Sequence, residues 1–164
     1  MREKALRYSV DAAREASNAH GYEQAAALLT QAQGWLNGQE DLGLLLELGD
    51  ARLRAGQPRC LETFGAAADL ARVTRNATAF AEAALGLAGR FSRPETRAAD
   101  IAALEEALAA LDAGDSELRV RVLSRLAQSV PEPRAADLRA RRPRSPSDWT
   151  TIAPGSSRWR DGTP

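Results

Sequence analysis

Residues 41–73 read DLGLLLELGDARLRAGQPRCLETFGAAADLARV, and this stretch decides the fold. A leucine-rich segment, 41–55, and an alanine-rich segment, 58–73, each place apolar residues at the spacing of one helix face. Gly56 and Pro58 separate them, because glycine readily ends a helix and proline is accepted in a first helical turn. The stretch therefore predicts two helices joined by a tight turn.

The same pattern continues on both sides. Leu48-Gly49 recurs as Leu85-Gly86, again inside an Ala/Leu-rich segment that is followed by another. Self-similarity at this period is typical of helical repeat proteins. Turn signals predict five further helices: 2–19, 22–36, 77–90, 97–111 and 115–128. We expect Gly21 to end the first of these in the left-handed conformation. We predict an all-α fold of about seven helices in antiparallel pairs, with alanine and glycine at the crossings.

The composition changes after residue 130. Residues 131–164 hold six of the eight prolines, and seven arginines against four acidic residues. Such a segment buries too little apolar surface to offset the entropy of ordering the chain. We therefore predict a helical domain, residues 1–130, and a mostly disordered tail, residues 131–164, in which the pattern allows one short helix at 133–141.

Charge and hydropathy exclude several classes of protein. The formal net charge is zero, so the whole chain is not a general polyanion binder. No apolar run approaches the ~20 residues of a membrane span, and the charged N-terminus lacks the apolar core of a signal peptide. Cys60 is the only cysteine, which excludes an intrachain disulfide and a zinc cluster of cysteines. We expect a cytoplasmic protein without a cofactor.

The chain has one histidine and one cysteine, two residue types that often take part in catalysis. His20 has no orienting carboxylate or nucleophile in a recognisable pattern, and Gly21 beside it predicts a helix end. Cys60 takes a position where small residues pack, which favours a buried thiol, although Arg59 leaves a reactive thiol as the alternative. Because no acid–base, metal or phosphate-binding constellation accompanies them, we predict that the chain is not an enzyme.

The charged residues favour structural interpretations. Glu105 and Glu106 are adjacent and do not face each other on a helix, so with Asp100 they predict a solvated face, not an acid–base pair. Residues three apart predict two exposed ion pairs: Arg59 with Glu62, and Asp69 with Arg72.

The tail offers one alternative. The arginines within 139–144, with Trp149 and Trp159, could hold nucleic acid by charge and stacking. The cluster is short and lies between Asp137 and Asp148, so disorder without function is favoured and nucleic acid is a disfavoured partner.

The helix pairs resemble tetratricopeptide repeats, in which helix A carries a Leu-Gly pair and helix B carries small residues. The second pair matches best, through Leu45, Leu48, Gly49, Gly56, Phe64 and Ala67. The resemblance implies a short right-handed α-solenoid. In it, residues 115–129 would form a last helix A without a helix B, whose exposed apolar face would favour self-association.

Residues 3–130 are also similar to the helical region of large actinobacterial-type ATPase regulators with a LuxR-type DNA-binding end, related in layout to the MalT regulators. The runs that carry this similarity are 44–72, 83–90, 104–111 and 118–127. The chain has no phosphate-loop motif and no recognisable helix-turn-helix, so ATPase activity and DNA binding do not carry over. We expect a truncated or frameshifted piece of such a regulator gene.

Together these features predict a non-enzymatic module that binds a protein, a peptide or a small inducer. Helix A residues would build the partner groove: Arg14, Leu46, Asp50, Leu53, Leu87 and Arg90. Trp35 would cap the end of the stack, or bind a partner if it is exposed. The alternatives are association with nucleic acid or a regulatory complex through the basic tail, and a fragment without an independent function.

Overall fold

The chain is all-helical in a computed structural model, which describes residues 2–36, 38–89, 96–112 and 116–141. These residues form eight α-helices and no strand, which confirms the predicted all-α class. The helices are α1 (Arg2–Asn18), α2 (Tyr22–Gly34), α3 (Leu42–Arg54), α4 (Cys60–Val73), α5 (Ala77–Leu87), α6 (Arg97–Ala110), α7 (Glu117–Ser129) and α8 (Arg134–Ala140). None of these described helices is long and apolar enough to cross a bilayer.

Three helices begin at a side-chain cap. The cap oxygen accepts a hydrogen bond from the backbone N–H three residues on, at 2.8 Å for Asp41, 3.0 Å for Asn76 and 3.2 Å for Ser116. A cap of this kind satisfies a donor that the first turn leaves free and contributes about 1 kcal/mol.

The end of α1 differs from the prediction. The left-handed residue is His20, with φ of 63°, and not Gly21. The His20 N–H donates to the Ser17 carbonyl at 3.0 Å, and the Gly21 N–H donates to the Ala16 carbonyl at 2.8 Å. This pair of hydrogen bonds is a Schellman ending, which places the left-handed residue one position before Gly21.

Arg75, after α4, adopts the same conformation with φ of 54°. A side chain with a Cβ is strained there by about 1–2 kcal/mol, whereas glycine is not. We expect His20→Gly and Arg75→Gly each to raise the free energy of unfolding by up to about 1 kcal/mol, because the greater freedom of glycine in the unfolded chain offsets part of the gain. Urea unfolding followed by circular dichroism measures this change.

Thr74→Gly is the matched control for this prediction. Thr74 precedes Arg75 but is right-handed, with φ of −84°, and its hydroxyl donates to the Leu70 carbonyl at 2.8 Å. We expect this variant to lose stability. A loss of stability in His20→Gly and Arg75→Gly as well would contradict the left-handed assignments.

Each helix packs against the next one along the chain, and α5 also contacts both α3 and α7. Two apolar clusters fill the interior, and α3 contributes to both of them: Leu45 to one, Leu44 and Leu48 to the other. Most of the buried hydrophobic residues are alanines. Small side chains let helix axes approach closely, as the sequence predicts for the crossings.

Helix α8 corrects the expectation for the end of the domain. It packs on α7 and buries Ala135 and Leu138, so α7 does have a short partner helix. The chain reverses through Pro131–Pro133, and the Pro131 carbonyl accepts from the Ala135 N–H at 3.3 Å. The short helix that the sequence pattern allows at 133–141 is therefore present, as Arg134–Ala140. The rest of the predicted tail, 142–164, lies outside the described residues.

Candidate functional site

A groove of about 820 Å³ opens on the face formed by α3, α5 and α7. This volume falls in the range of ligand-binding clefts in proteins. Because α5 contacts both other helices, it forms the middle of the groove, with α3 on one side and α7 on the other. The ring of Phe64, from α4, reaches the floor.

Two glycines make room for that ring. A Cβ on Gly49 of α3 would lie 2.7 Å from the nearest ring carbon of Phe64, and one on Gly86 of α5 would lie 2.5 Å away. Both distances are far below the ~3.5–4.0 Å of a normal carbon–carbon contact. The ring is only 4% exposed. We call this arrangement, Gly49–Phe64–Gly86, the Phe64 clamp, and it gives a physical reason for glycine in both leucine–glycine pairs.

The acidic residues on the α3 side of the groove are already neutralised. Arg14 of α1 approaches the Glu47 carboxylate at 2.6 Å, and Arg54 approaches Asp50 at 2.7 Å. The hydrogen bond and the charge of Glu47 raise the pKa of the Arg14 guanidinium. These pairs leave little unsatisfied charge on this side.

The middle and the opposite side of the groove carry charged side chains that have no partner among the described residues. Arg121 and Arg125 of α7, and Glu82 of α5, line the groove and form no hydrogen bond or ion pair within the described part of the chain. Arg121 is exposed and Arg125 is half-buried. Residues four apart on a helix are neighbours, so the two guanidinium groups repel each other.

The six residues predicted for a partner groove do not all meet. Three of them line it: Leu46, Asp50 and Leu53. Arg14 lies on α1 and does not line the groove, but it donates a hydrogen bond to Glu47, which does. Leu87 is half-buried against the core, and Arg90 lies outside the described residues.

The residues predicted for the groove include none from α7, although the spacing of small residues along the chain points to this helix. Ser124 follows Gly86 by 38 residues, and Gly86 follows Gly49 by 37. Counted from this small residue, Arg121 and Arg125 occupy the positions that the groove residues Leu46 and Asp50 hold in α3. Serine in place of glycine concealed this third copy of the pattern.

The isolated residues with catalytic potential lie away from the groove. His20 is exposed at a helix end and stacks edge-on against Tyr22, with ring centroids 5.9 Å apart. Cys60 is fully buried, as predicted, and burial raises the pKa of its thiol, which disfavours the reactive thiolate. Trp35 is half-buried just after α2.

The acidic cluster of α6 is not simply solvated. Glu106 accepts two hydrogen bonds from Arg72 of α4, at 3.0 and 2.9 Å, and Glu105 pairs with Arg134 of α8. Asp100 is buried and accepts from the Thr96 hydroxyl at 3.3 Å. The sequence could not anticipate the pairs of Glu105 and Glu106, because their partners lie about thirty residues away along the chain.

The short-range ion pairs are confirmed, Arg59 with Glu62 at 3.6 Å and Arg72 with Asp69 at 3.0 Å. In the described part of the basic tail, Glu105 binds Arg134 and Glu132 binds Arg139. These two arginines are therefore engaged within the fold. Arg141 is exposed just after α8. The other tail residues named for nucleic-acid contact, 142–144 with Trp149 and Trp159, lie outside the described residues.

The fold and the groove define the class: an all-helical protein with an open, charged groove where three alternate helices meet. Among the described residues, no three or more His, Cys, Asp or Glu side chains are grouped so that they could hold a metal ion. Comparisons with protein-family models, with curated proteins and with solved structures found no match to this chain.

Proposed function

We propose that the chain is a non-enzymatic protein-interaction module of the tetratricopeptide-repeat type, in which helix pairs stack as a short α-solenoid. The series of contacts from α3 through α5 to α7 supports this arrangement, as does the helix that packs on each of them: α4, α6 and α8. The small residues Gly49, Gly86 and Ser124 recur at nearly constant spacing. In repeat proteins, such stacking creates an extended binding surface.

The groove is the observation that carries the proposal. Phe64 and Gly86 of the clamp and leucines of α3 and α5 form its apolar floor, and its sides carry charged groups. Its walls are helices held in place by the core, so a partner would meet a largely preformed surface and lose little free energy in ordering it. A peptide segment or an exposed loop of another protein fits this combination of an apolar floor and polar sides.

The proposed setting is the cytoplasmic, signal-sensing region of a bacterial transcriptional regulator of the LuxR type. The resemblance of residues 3–130 to that region supports it. Association with nucleic acid through the tail has less support, because Arg134 and Arg139 are engaged with carboxylates.

Selection of a randomised short-peptide library on the full-length chain tests this function. We expect enriched peptides that bind the wild type and bind Leu53→Glu at least about 10-fold more weakly, because a carboxylate in the groove disrupts its apolar floor. Val73→Glu is the control, since Val73 is 80% exposed and does not line the groove. Circular dichroism checks that both variants fold. A library that yields no enriched peptide would overturn the proposal.

A further inference from the structure

We propose that the segment occupying this groove presents a carboxylate to Arg121 and Arg125 of α7. This inference rests on the proposed interaction function and names the chemistry of the partner. Within the described part of the chain, no side chain forms a hydrogen bond or ion pair with these two guanidinium groups, whereas the acidic groups of α3 in the groove are each paired with an arginine.

The contrast between the two sides of the groove supports the assignment. Glu47 and Asp50 on α3 each have an arginine within 3 Å. Arg121 and Arg125 have no such partner in the described part of the chain, although they are neighbours on one helix and one of them is half-buried. A bound carboxylate would relieve their repulsion.

The guanidinium group suits this ligand. It offers a planar fork of donors that matches a carboxylate, and such charge-assisted hydrogen bonds are about twice as strong as neutral ones. Groups at positions four apart on a helix have Cβ atoms about 6 Å apart, so one carboxylate can bridge them or two can bind side by side. A ligand of net negative charge is therefore favoured at α7.

The rest of the groove restricts the partner further. Val120, Leu85 and the Phe64 ring line the same groove as the arginines and give it an apolar surface as well as a charged one. Glu82 stands on α5, in the middle of the groove, and would repel a second acidic group there. The segment that fits carries an acidic group beside an apolar side chain, with a neutral or basic residue facing α5.

Two sources can supply the carboxylate: an Asp or Glu side chain, or the free C-terminus of the partner. Three fluorescein-labelled peptides of equal length distinguish them. One carries glutamates and leucines with an amidated C-terminus, one replaces the glutamates by glutamine but keeps a free C-terminus, and one has glutamine with an amidated C-terminus. Fluorescence anisotropy with the full-length chain measures their affinities.

We expect at least one carboxylate-bearing peptide to bind, and the fully neutral peptide to bind much more weakly. The double reversal Arg121→Glu with Arg125→Glu should weaken binding of the carboxylate peptide on the order of 100-fold, and added salt should weaken binding to the wild type. Lys4→Glu with Arg7→Glu is the matched control. It changes the net charge equally, at exposed residues of α1 that are outside the groove, and we expect less than a roughly threefold effect.

The outcomes separate this inference from the proposed function. Equal binding of charged and neutral peptides, or equal loss in the two double variants, would overturn the carboxylate assignment. If the library selection enriches peptides without acidic residues, and these still lose affinity in Leu53→Glu, the interaction function stands and the carboxylate proposal fails. If nothing is enriched and no labelled peptide binds, both fail.

Discussion

Replacing Phe64 by alanine is expected to lower the free energy of unfolding by about 3–5 kcal/mol. The ring is 4% exposed and fills the space between α3 and α5, so its removal loses the transfer free energy of a buried aromatic group and leaves a cavity. The two glycines bring no side-chain atoms that could fill it. Because domains of this size are stable by only about 5–15 kcal/mol, the loss would remove a large share of the total.

Differential scanning calorimetry of the full-length chain measures the effect, which we expect as a fall in Tm on the order of 10 °C or more. Phe64→Leu is the control, because it retains most of the apolar volume and should cost less than half as much. A Phe64→Ala variant that melts within about 2 °C of the wild type would show that the ring does not hold α3 and α5 together.

The second large effect is expected from adding a side chain at either of the two glycines that face the Phe64 ring. Gly86→Leu and Gly49→Leu should each destabilise the fold by roughly 1–3 kcal/mol or more, because even the Cβ would overlap the Phe64 ring. The ring cannot yield easily, since moving away from one glycine brings it closer to the other. The shorter distance at Gly86, 2.5 Å against 2.7 Å at Gly49, predicts the larger loss there.

Gly65→Ala gives a matched control within α4. A Cβ at Gly65 meets no atom within 4 Å, so this variant should gain up to about 1 kcal/mol from the better helix propensity of alanine. A similar gain in Gly86→Ala would contradict the Phe64 clamp, since the propensity term would then act without a steric cost.

A double variant tests whether the two predictions describe one contact. In Phe64→Ala with Gly86→Ala, the new methyl group would enter space that the ring has vacated. We expect the combined loss of stability to be smaller than the sum of the single losses by about 0.5–3 kcal/mol, the range of coupling between residues in contact. Additive effects would place Phe64 and Gly86 in independent environments.

The Phe64 clamp also links the fold to the proposed function. The ring that fixes α3 against α5 is part of the groove floor, so the residues that position the two walls also shape the surface a partner would meet. Variants of the clamp should therefore change stability and binding together. Variants of Arg121 and Arg125, whose side chains form no contact of this kind in the described part of the chain, should change binding with little effect on stability.

The sequence predicts the individual helices well, because their signals are local. The residues that cap α3, α5 and α7 act within three positions of themselves, and the glycine and proline between α3 and α4 act within one turn. The exception at His20 is also local. Two adjacent residues could each take the left-handed position, and only the hydrogen bonds of the completed helix end choose between them.

The candidate groove is predicted only in part. Leu46, Asp50 and Leu53 follow from the position of the Leu-Gly pair in α3, and the structure places all three in the groove. The sequence pattern does not predict the contribution of α7, because α7 has Ser124 where α3 and α5 have Gly49 and Gly86. The structure reveals it, since α7 contacts α5.

By itself, the sequence determined the helical class, most helix boundaries and the small residues at the helix crossings, since each depends on side chains within about one turn. The tertiary structure alone decided which distant residues meet: Phe64 with both glycines, Arg14 with Glu47, Arg72 with Glu106, and α8 with α7. Such contacts join residues that are often more than thirty positions apart. Any exposed arginine can pair with many carboxylates, and the packing of the helices around the core decides which carboxylate lies within reach. In the described fold, this packing leaves Arg121 and Arg125 without a partner.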